Sequence, residues 1–159
     1  MIQPRFESLK EKKLVGKYVT MSLANNKTFD LWRSFMPERM KIQNRISNDM
    51  ISMRVYSELL QLKNIEQQFE KWAVVEVSDF DNVADGMKTF ILKEGLYAVF
   101  DYKGLNTDNR IFIYIFNEWL PNSNYELDER PHFEVLGEKY RNNDPESEEE
   151  IWIPIRPKQ

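Results

Sequence analysis

The chain predicts an α+β fold in which one strand, strand, helix, strand, strand unit occurs twice, and three observations carry that reading. Leu31-Trp32-Arg33-Ser34-Phe35-Met36-Pro37 superposes on Ile115-Phe116-Asn117-Glu118-Trp119-Leu120-Pro121 at a constant offset of 115 − 31 = 84, aromatic on aromatic and proline on proline. Each run is preceded by two short apolar segments around a tight turn and followed by two more. The closing segments, around residues 130–137 and 148–155, alternate apolar residues with others in period two, the pattern of strands. Two such units would share one curved antiparallel sheet with pseudo-twofold symmetry, burying both helices on one face and leaving a ligand cleft at the seam on the other.

Taken in order, residues 4–9 and 14–22 read as strands joined at Lys10-Glu11-Lys12-Lys13, with Gly16 marking a bulge or a close approach of backbones. Asn25 and Asn26 offer a cap, after which Phe29, Leu31, Trp32, Phe35 and Met36 fall at helical spacing as far as Pro37, with Met40, Ile42 and Ile46 as a continuation. Residues 51–59 and 69–77 read as two more strands, and residues 78–86 as a turn-rich boundary. The order then repeats, with strands at 87–93 and 96–102 around Glu94-Gly95. Residues 111–116 are rich in β-branched and aromatic side chains and by local propensity would be a strand. Thr107 and Asp108 as caps, the lack of period-two polarity and the repeat all assign them to the second helix. The expected units are about residues 4–77 and 87–156 of a single domain spanning 1–159.

Arg130-Pro131 forces an extended entry to the closing pair, since proline disfavours the helical region for the residue before it. Alternation then puts Phe133 and Val135 on one face and His132, Glu134 and Leu136 on the other; Ile151, Ile153 and Ile155 share a face, with Glu150 and Trp152 opposite. With Phe133 and Val135 packed beneath the helices, Glu134 and Trp152 are expected to share the open cleft. Trp72 and Glu76 hold the same phase in the matching strand and would face it from the other half, with Tyr18, Phe100 and Tyr102 as walls. His132, beside a proline and without a nucleophile partner, reads as a surface or satisfied structural residue, and Glu146 to Glu150 as a solvated acidic loop.

At 159 residues and a net charge of −4, with its basic residues scattered, the chain offers no nucleic-acid footprint of its own. Without cysteine there is no disulfide or thiolate chemistry, and one histidine argues against a metal site; no cofactor is implied. The first twenty residues carry charges throughout, so no signal peptide or membrane span is expected and the cytoplasm is the default location.

Arg130-Pro131-His132-Phe133-Glu134-Val135, followed by Glu150-Ile151-Trp152-Ile153-Pro154-Ile155, closely resembles the closing hairpin of the GyrI-like, or bacterial transcription-activator effector-binding, domains. The similarity extends to Gly86-Met87, Gly95-Leu96-Tyr97-Ala98-Val99-Phe100 and Trp119-Leu120-Pro121 and covers essentially the whole chain. The resemblance implies duplicated β-α-β-β modules around a groove that binds small molecules, often lipophilic cations. It places the family's pocket acid on Glu134 and the aromatic of its Ile-Tyr-Ile-Pro strand on Trp152, which keeps the flat face and loses the hydroxyl. Many members carry an AraC-type or MerR-type DNA-binding module; this chain resembles a stand-alone member.

Three functions are compatible with these residues. The first is a receptor for an amphipathic, cationic small molecule, whose charge would compensate a desolvated carboxylate among aromatic rings. The second is a hydrolase of strained or electrophilic compounds with Glu134 as general base, although no serine elbow, phosphate loop or spaced carboxylate pair is visible. The third is an inhibitor whose acidic surface docks a basic partner protein.

Overall fold

The computed structural model describes residues 2–159. The elements run β1 (Arg5–Leu9), β2 (Lys12–Met21), α1 (Thr28–Phe35), β3 (Met50–Val55), β4 (Phe69–Val77), β5 (Lys88–Leu92), β6 (Gly95–Lys103), α2 (Arg110–Tyr114), β7 (Tyr125–Leu127), β8 (His132–Leu136) and β9 (Glu148–Pro157). A 3-10 turn over Met36–Lys41 extends α1, and a wide π turn over Ile115–Trp119 with a last turn at Leu120–Asn122 extends α2. Residues 110–122 are thus helical against their local strand propensity. Ile111 and Ile115, one turn apart, are buried together against the sheet, and the Asp108 carboxylate accepts the N–H of Arg110 at 3.0 Å at the helix start. Asn26 does the same for Thr28 at 2.9 Å ahead of α1.

The strands form one antiparallel sheet in the order β1-β6-β9-β8-β3-β4-β2-β5, with β7 paired to β9. The order is symmetric about the β8–β3 pair, so β8 answers to β3, β9 to β4, β6 to β2 and β1 to β5. Each unit lends its first strand to the other: β1 pairs with β6, and β5 with β2.

That exchange dictates the curvature. Leu9 and Lys12 are three peptide units apart, a reach of at most about 11 Å. They nevertheless belong to strands that are first and seventh in the sheet, which in a flat sheet would lie roughly 29 Å apart at about 4.8 Å per strand. The link from Leu92 to Gly95 makes the same demand from the other edge. The sheet therefore curls until its edges approach, and the inside of the curl is packed with Leu9, Leu14, Met53, Trp72, Leu92, Tyr97 and Phe133 among others.

Both helices lie on the outside. Leu31 and Phe35 of α1 cover Val15, Ala73, Val75 and Val77, while Ile111 and Ile115 of α2 cover Ala98, Phe100, Ile151 and Ile153. Gly16 permits the closest backbone approach in β2, since a Cβ there would stand 1.9 Å from the Ala73 carbonyl oxygen. The close approach is present, without a bulge in the β2–β4 ladder.

This arrangement corrects the expected position of the cleft. Phe133 and Val135 pack into the inner core and not beneath the helices, and the face opposite the helices is filled by that core. The remaining space lies on the helix-bearing face, along central strands β3 and β8, which only the Phe112 and Phe116 rings of the second helical segment overhang.

Candidate functional site

Antiparallel register brings the polar residues of this face together. Ser52 of β3 stands between Ala73 of β4 and Glu134 of β8, and Glu134 in turn opposes Ile151 of β9. One row further along, Lys71, Arg54 and His132 are neighbours across β4, β3 and β8. A polar strip thus separates the two apolar wells under α1 and α2.

Above the strip, Phe112 and Phe116 of α2 and its extension face Tyr56 and Leu60 of the 56–68 segment. They enclose an inner space of 30 Å³ whose lining includes Ser52, Arg54, His132 and Glu134. The same four wall residues and Arg54 continue into an outer groove of 330 Å³ reaching Leu23, Leu62, Phe69 and Ile113. The path inward from solvent is mostly apolar and aromatic, and its end is charged.

Burial sets the protonation of that end. Glu149 is only 9% exposed, and the combination of burial, the nearby Glu134 charge and a hydrogen bond with Glu134 pushes its carboxyl up to about 9, so it holds its proton at neutral pH. Its Oε2 has no hydrogen-bond partner among the described residues. Lys71 is buried, which brings its ammonium down to about 7; Arg54 pushes the same way, and Glu134 and Glu149 partly oppose it. Burial, reinforced by Arg54, takes the His132 imidazole down to about 3, leaving it neutral between the rings of Tyr56 at 5.3 Å and Phe116 at 6.2 Å. Among the described residues, no three His, Cys, Asp or Glu side chains are grouped to hold a metal.

A curled sheet formed of two exchanged units, with an aromatic groove over a carboxyl-bearing seam, is the setting in which the comparisons with known proteins become informative. The profile of the Cass2 family, described as integron-associated effector binding protein, matches residues 5–155. The chain belongs to that family. None of the curated proteins matches it by sequence. Among solved structures it is similar to an integron cassette protein from the mobile metagenome of Vibrio cholerae (12% identity, TM-score 0.66, 97% of this chain and 96% of that one). It is also similar to the EcmrR C-terminal domain (15%, 0.70, 99% of each chain) and to SAV2435 bound to tetraphenylphosphonium (16%, 0.65, 98% and 94%). At these identities the likenesses concern the fold, and they agree with the GyrI-like resemblance of the sequence.

Of the site residues expected in this effector-binding family member, the structure places Glu134 in the groove floor, half-buried and without an ion pair among the described residues. Trp152 also borders the inner space, but its ring does not stand beside the carboxylate. Phe133 opposes Trp152 in register and stacks on it with centroids 5.1 Å apart, so the indole turns to the inner core while Glu134 turns out, and carboxylate and indole occupy opposite faces. Trp72 is also on the inner side, stacked on Tyr18 at 4.6 Å, and Glu76 shares its phase and pairs with Lys12 at 3.1 Å. Phe100 is fully buried beneath the second helical segment against Trp119, and Tyr102 donates its hydroxyl to the Leu105 carbonyl at 2.7 Å, outside the groove lining.

The residues missed are Glu149, Lys71, Arg54, Phe112 and Phe116. The sequence puts Glu149 in a solvated acidic loop, yet it belongs to β9 and is buried. The signal for it was present: it has the same parity as Ile151, Ile153 and Ile155. Lys71 likewise shares phase with Ala73, Val75 and Val77, a lone lysine on an otherwise apolar strand face. A carboxyl pair, invisible as a sequence spacing, is made by register between β8 and β9.

Proposed function

We propose that this chain is a receptor for an aromatic small molecule bearing a positive charge, which enters between the second helical segment and the 56–68 segment and directs its charge toward Glu134. The observation that carries this reading is a half-buried carboxylate with no ion pair among the described residues, at the base of an aromatic groove. Desolvating an anion without a partner is costly, and a ligand cation restores the missing counter-charge while the Phe112, Phe116 and Tyr56 rings add cation–π attraction. The family's description as effector binding, and a neighbour of the same fold solved with a lipophilic cation, support it. Trp152, Trp72, Glu76, Tyr18 and Phe100 are assigned packing roles in this reading.

Calorimetry with tetraphenylphosphonium and with uncharged triphenylphosphine oxide tests the assignment. Glu134→Gln should weaken the cation roughly ten- to hundred-fold, the effect of losing a charge-assisted contact, and leave the neutral compound unchanged or slightly tighter. Equal losses for both compounds would show that Glu134 does not receive the charge.

The Glu134–Glu149 pair gives the hydrolase reading one specific support, because a carboxyl that keeps its proton beside a second carboxyl is what acid–base catalysis requires. In that case Glu149 would donate a proton to a leaving group and Glu134 would activate water. Product formation from an epoxide or other strained electrophile, abolished in both Glu134→Gln and Glu149→Gln, is the outcome that would favour it over simple binding.

A further inference from the structure

Arg54 stands in the groove without an acid. It projects from β3 on the helix-bearing face, beside His132 in register and diagonal to Glu134, which opposes the Ser52 two positions earlier. Its guanidinium lies over Phe69 at 5.6 Å and over Phe112 at 5.9 Å, and among the described residues it forms no ion pair and donates no hydrogen bond. None of its nitrogens is sealed from solvent, since the buried polar atoms lacking a partner are confined to Arg130 and Glu149. It borders both the inner space and the outer groove.

The two rings fix where the charge sits without using its donors. A guanidinium carries five N–H groups in a planar fork suited to a carboxylate or phosphate, and here they open onto the cavity. Glu134 is close enough to share the floor with Arg54 but does not pair with it. Lys71, next to Arg54 on β4, is brought down to about 7 by burial and so adds only part of a positive charge to that end at neutral pH. A ligand with a positive charge alone would therefore meet attraction at Glu134 and repulsion at Arg54, whereas a ligand carrying both signs would satisfy both.

We propose that the groove selects aromatic zwitterions, with Arg54 receiving the ligand's acidic group and Glu134 its basic group. This rests on the reading of the groove as a small-molecule site and specifies what that site prefers. Arg54 becomes the specificity-determining residue, and the Phe69 and Phe112 rings hold its guanidinium in place.

Two xanthene dyes that differ in one group supply the test: rhodamine 110, a zwitterion with a free carboxylate, and rhodamine 123, its cationic methyl ester. Fluorescence anisotropy with the full chain should show the free acid binding about ten-fold or more tightly than the ester, the effect of one charge-assisted contact. Arg54→Met, which keeps the stem over the rings, should weaken the acid and strengthen the ester until the preference is lost, while Arg54→Lys should retain part of it. Tighter binding of the ester by the unsubstituted chain would overturn the proposal, as would a preference that survives in Arg54→Met. If tetraphenylphosphonium binds and neither dye does, the zwitterion assignment fails and the groove reading stands; if none of the three binds, both fail. The comparison of the two dyes on the unsubstituted chain decides the matter even if a variant does not fold.

Discussion

Replacing Glu149 with glutamine should make the protein more stable than the parent at neutral pH, by an amount that grows with pH. The carboxyl is buried against Glu134 and titrates near 9 in the folded chain, against 4.5 for the free group, so the native state holds a proton that the unfolded state has released. A group raised in this way contributes stability that is complete below about pH 4.5 and is lost as pH climbs toward 9. The loss amounts to about 1.4 kcal/mol per pH unit within that window, or about 3 kcal/mol between pH 5 and pH 7. Glutamine resembles the protonated acid in shape and charge, so Lys71, Tyr102 and Tyr140 around it experience little change. The contributions of His132 and Lys71 to the pH profile then cancel between the two proteins. Thermal melts at half-unit steps from pH 5 to pH 8 should show the variant gaining on the parent, with the separation widening by roughly 5–10 °C across pH 5 to 7 for a domain of this size. Parallel curves would mean that Glu149 does not keep its proton on folding, and the account of the groove floor would be wrong.

Lys71→Met should also stabilise, most strongly below about pH 7, because the folded chain's lysine titrates near 7 and the parent gains stability as pH rises from there toward 10.5; chemical denaturation at pH 6 and pH 9.5 gives the comparison. Gly16→Ala should cost about 2 kcal/mol or more in a denaturant titration, since its Cβ would stand 1.9 Å from the Ala73 carbonyl and the backbone at this point cannot yield without parting β2 from β4. Trp152→Ala should lower stability by about 3 to 5 kcal/mol through the cavity it leaves against Phe133 and Tyr97. Trp152→Phe, in contrast, should leave tetraphenylphosphonium affinity within about two-fold of the parent, and a larger loss would return the indole to the binding surface.

The order of elements was legible because each rests on a local pattern. Proline and aromatics at a fixed interval identified both helices, and period-two runs identified the strands, including the hairpin of β8 and β9. The offset of 84 in the helical runs is not matched in burial: the buried pair is Leu31 and Phe35 in one half and Ile111 and Ile115 in the other, 111 − 31 = 80, and the wide turn at Ile115–Trp119 lies between those residues and Pro121. The brief β7 escaped notice, since Tyr125–Leu127 is too short for a period to show. What local pattern could not reveal was which strand lies beside which. The exchange of β1 and β5 is a long-range pairing, and without it nothing in residues 5–12 announces that the sheet must curl.

The misplacement of the cleft follows from the same omission. In an open sheet the drier face is the one beneath the helices, so the apolar side of β8, Phe133 and Val135, was assigned there. In a curled sheet the inside is as dry as the helical wells, and the central strands turn their apolar residues inward. Their outward residues lie under neither helix's main footprint, because α1 sits over β2 and β4 while α2 sits over β6 and β9; only the Phe112 and Phe116 rings of the second helical segment reach across to Arg54 and His132. The seam between the two corresponding coverings is the least covered part of this face as a consequence of the pseudo-symmetry. Here Ser52, Arg54, His132 and Glu134 replace the valines and isoleucines found to either side. Polar residues can be used at the seam because solvent or a ligand reaches them, and apolar residues would be left exposed. Alternation in β3 and β8 thus encodes both the core and the groove floor, one on each face, and the choice of face is fixed by strands distant in the chain.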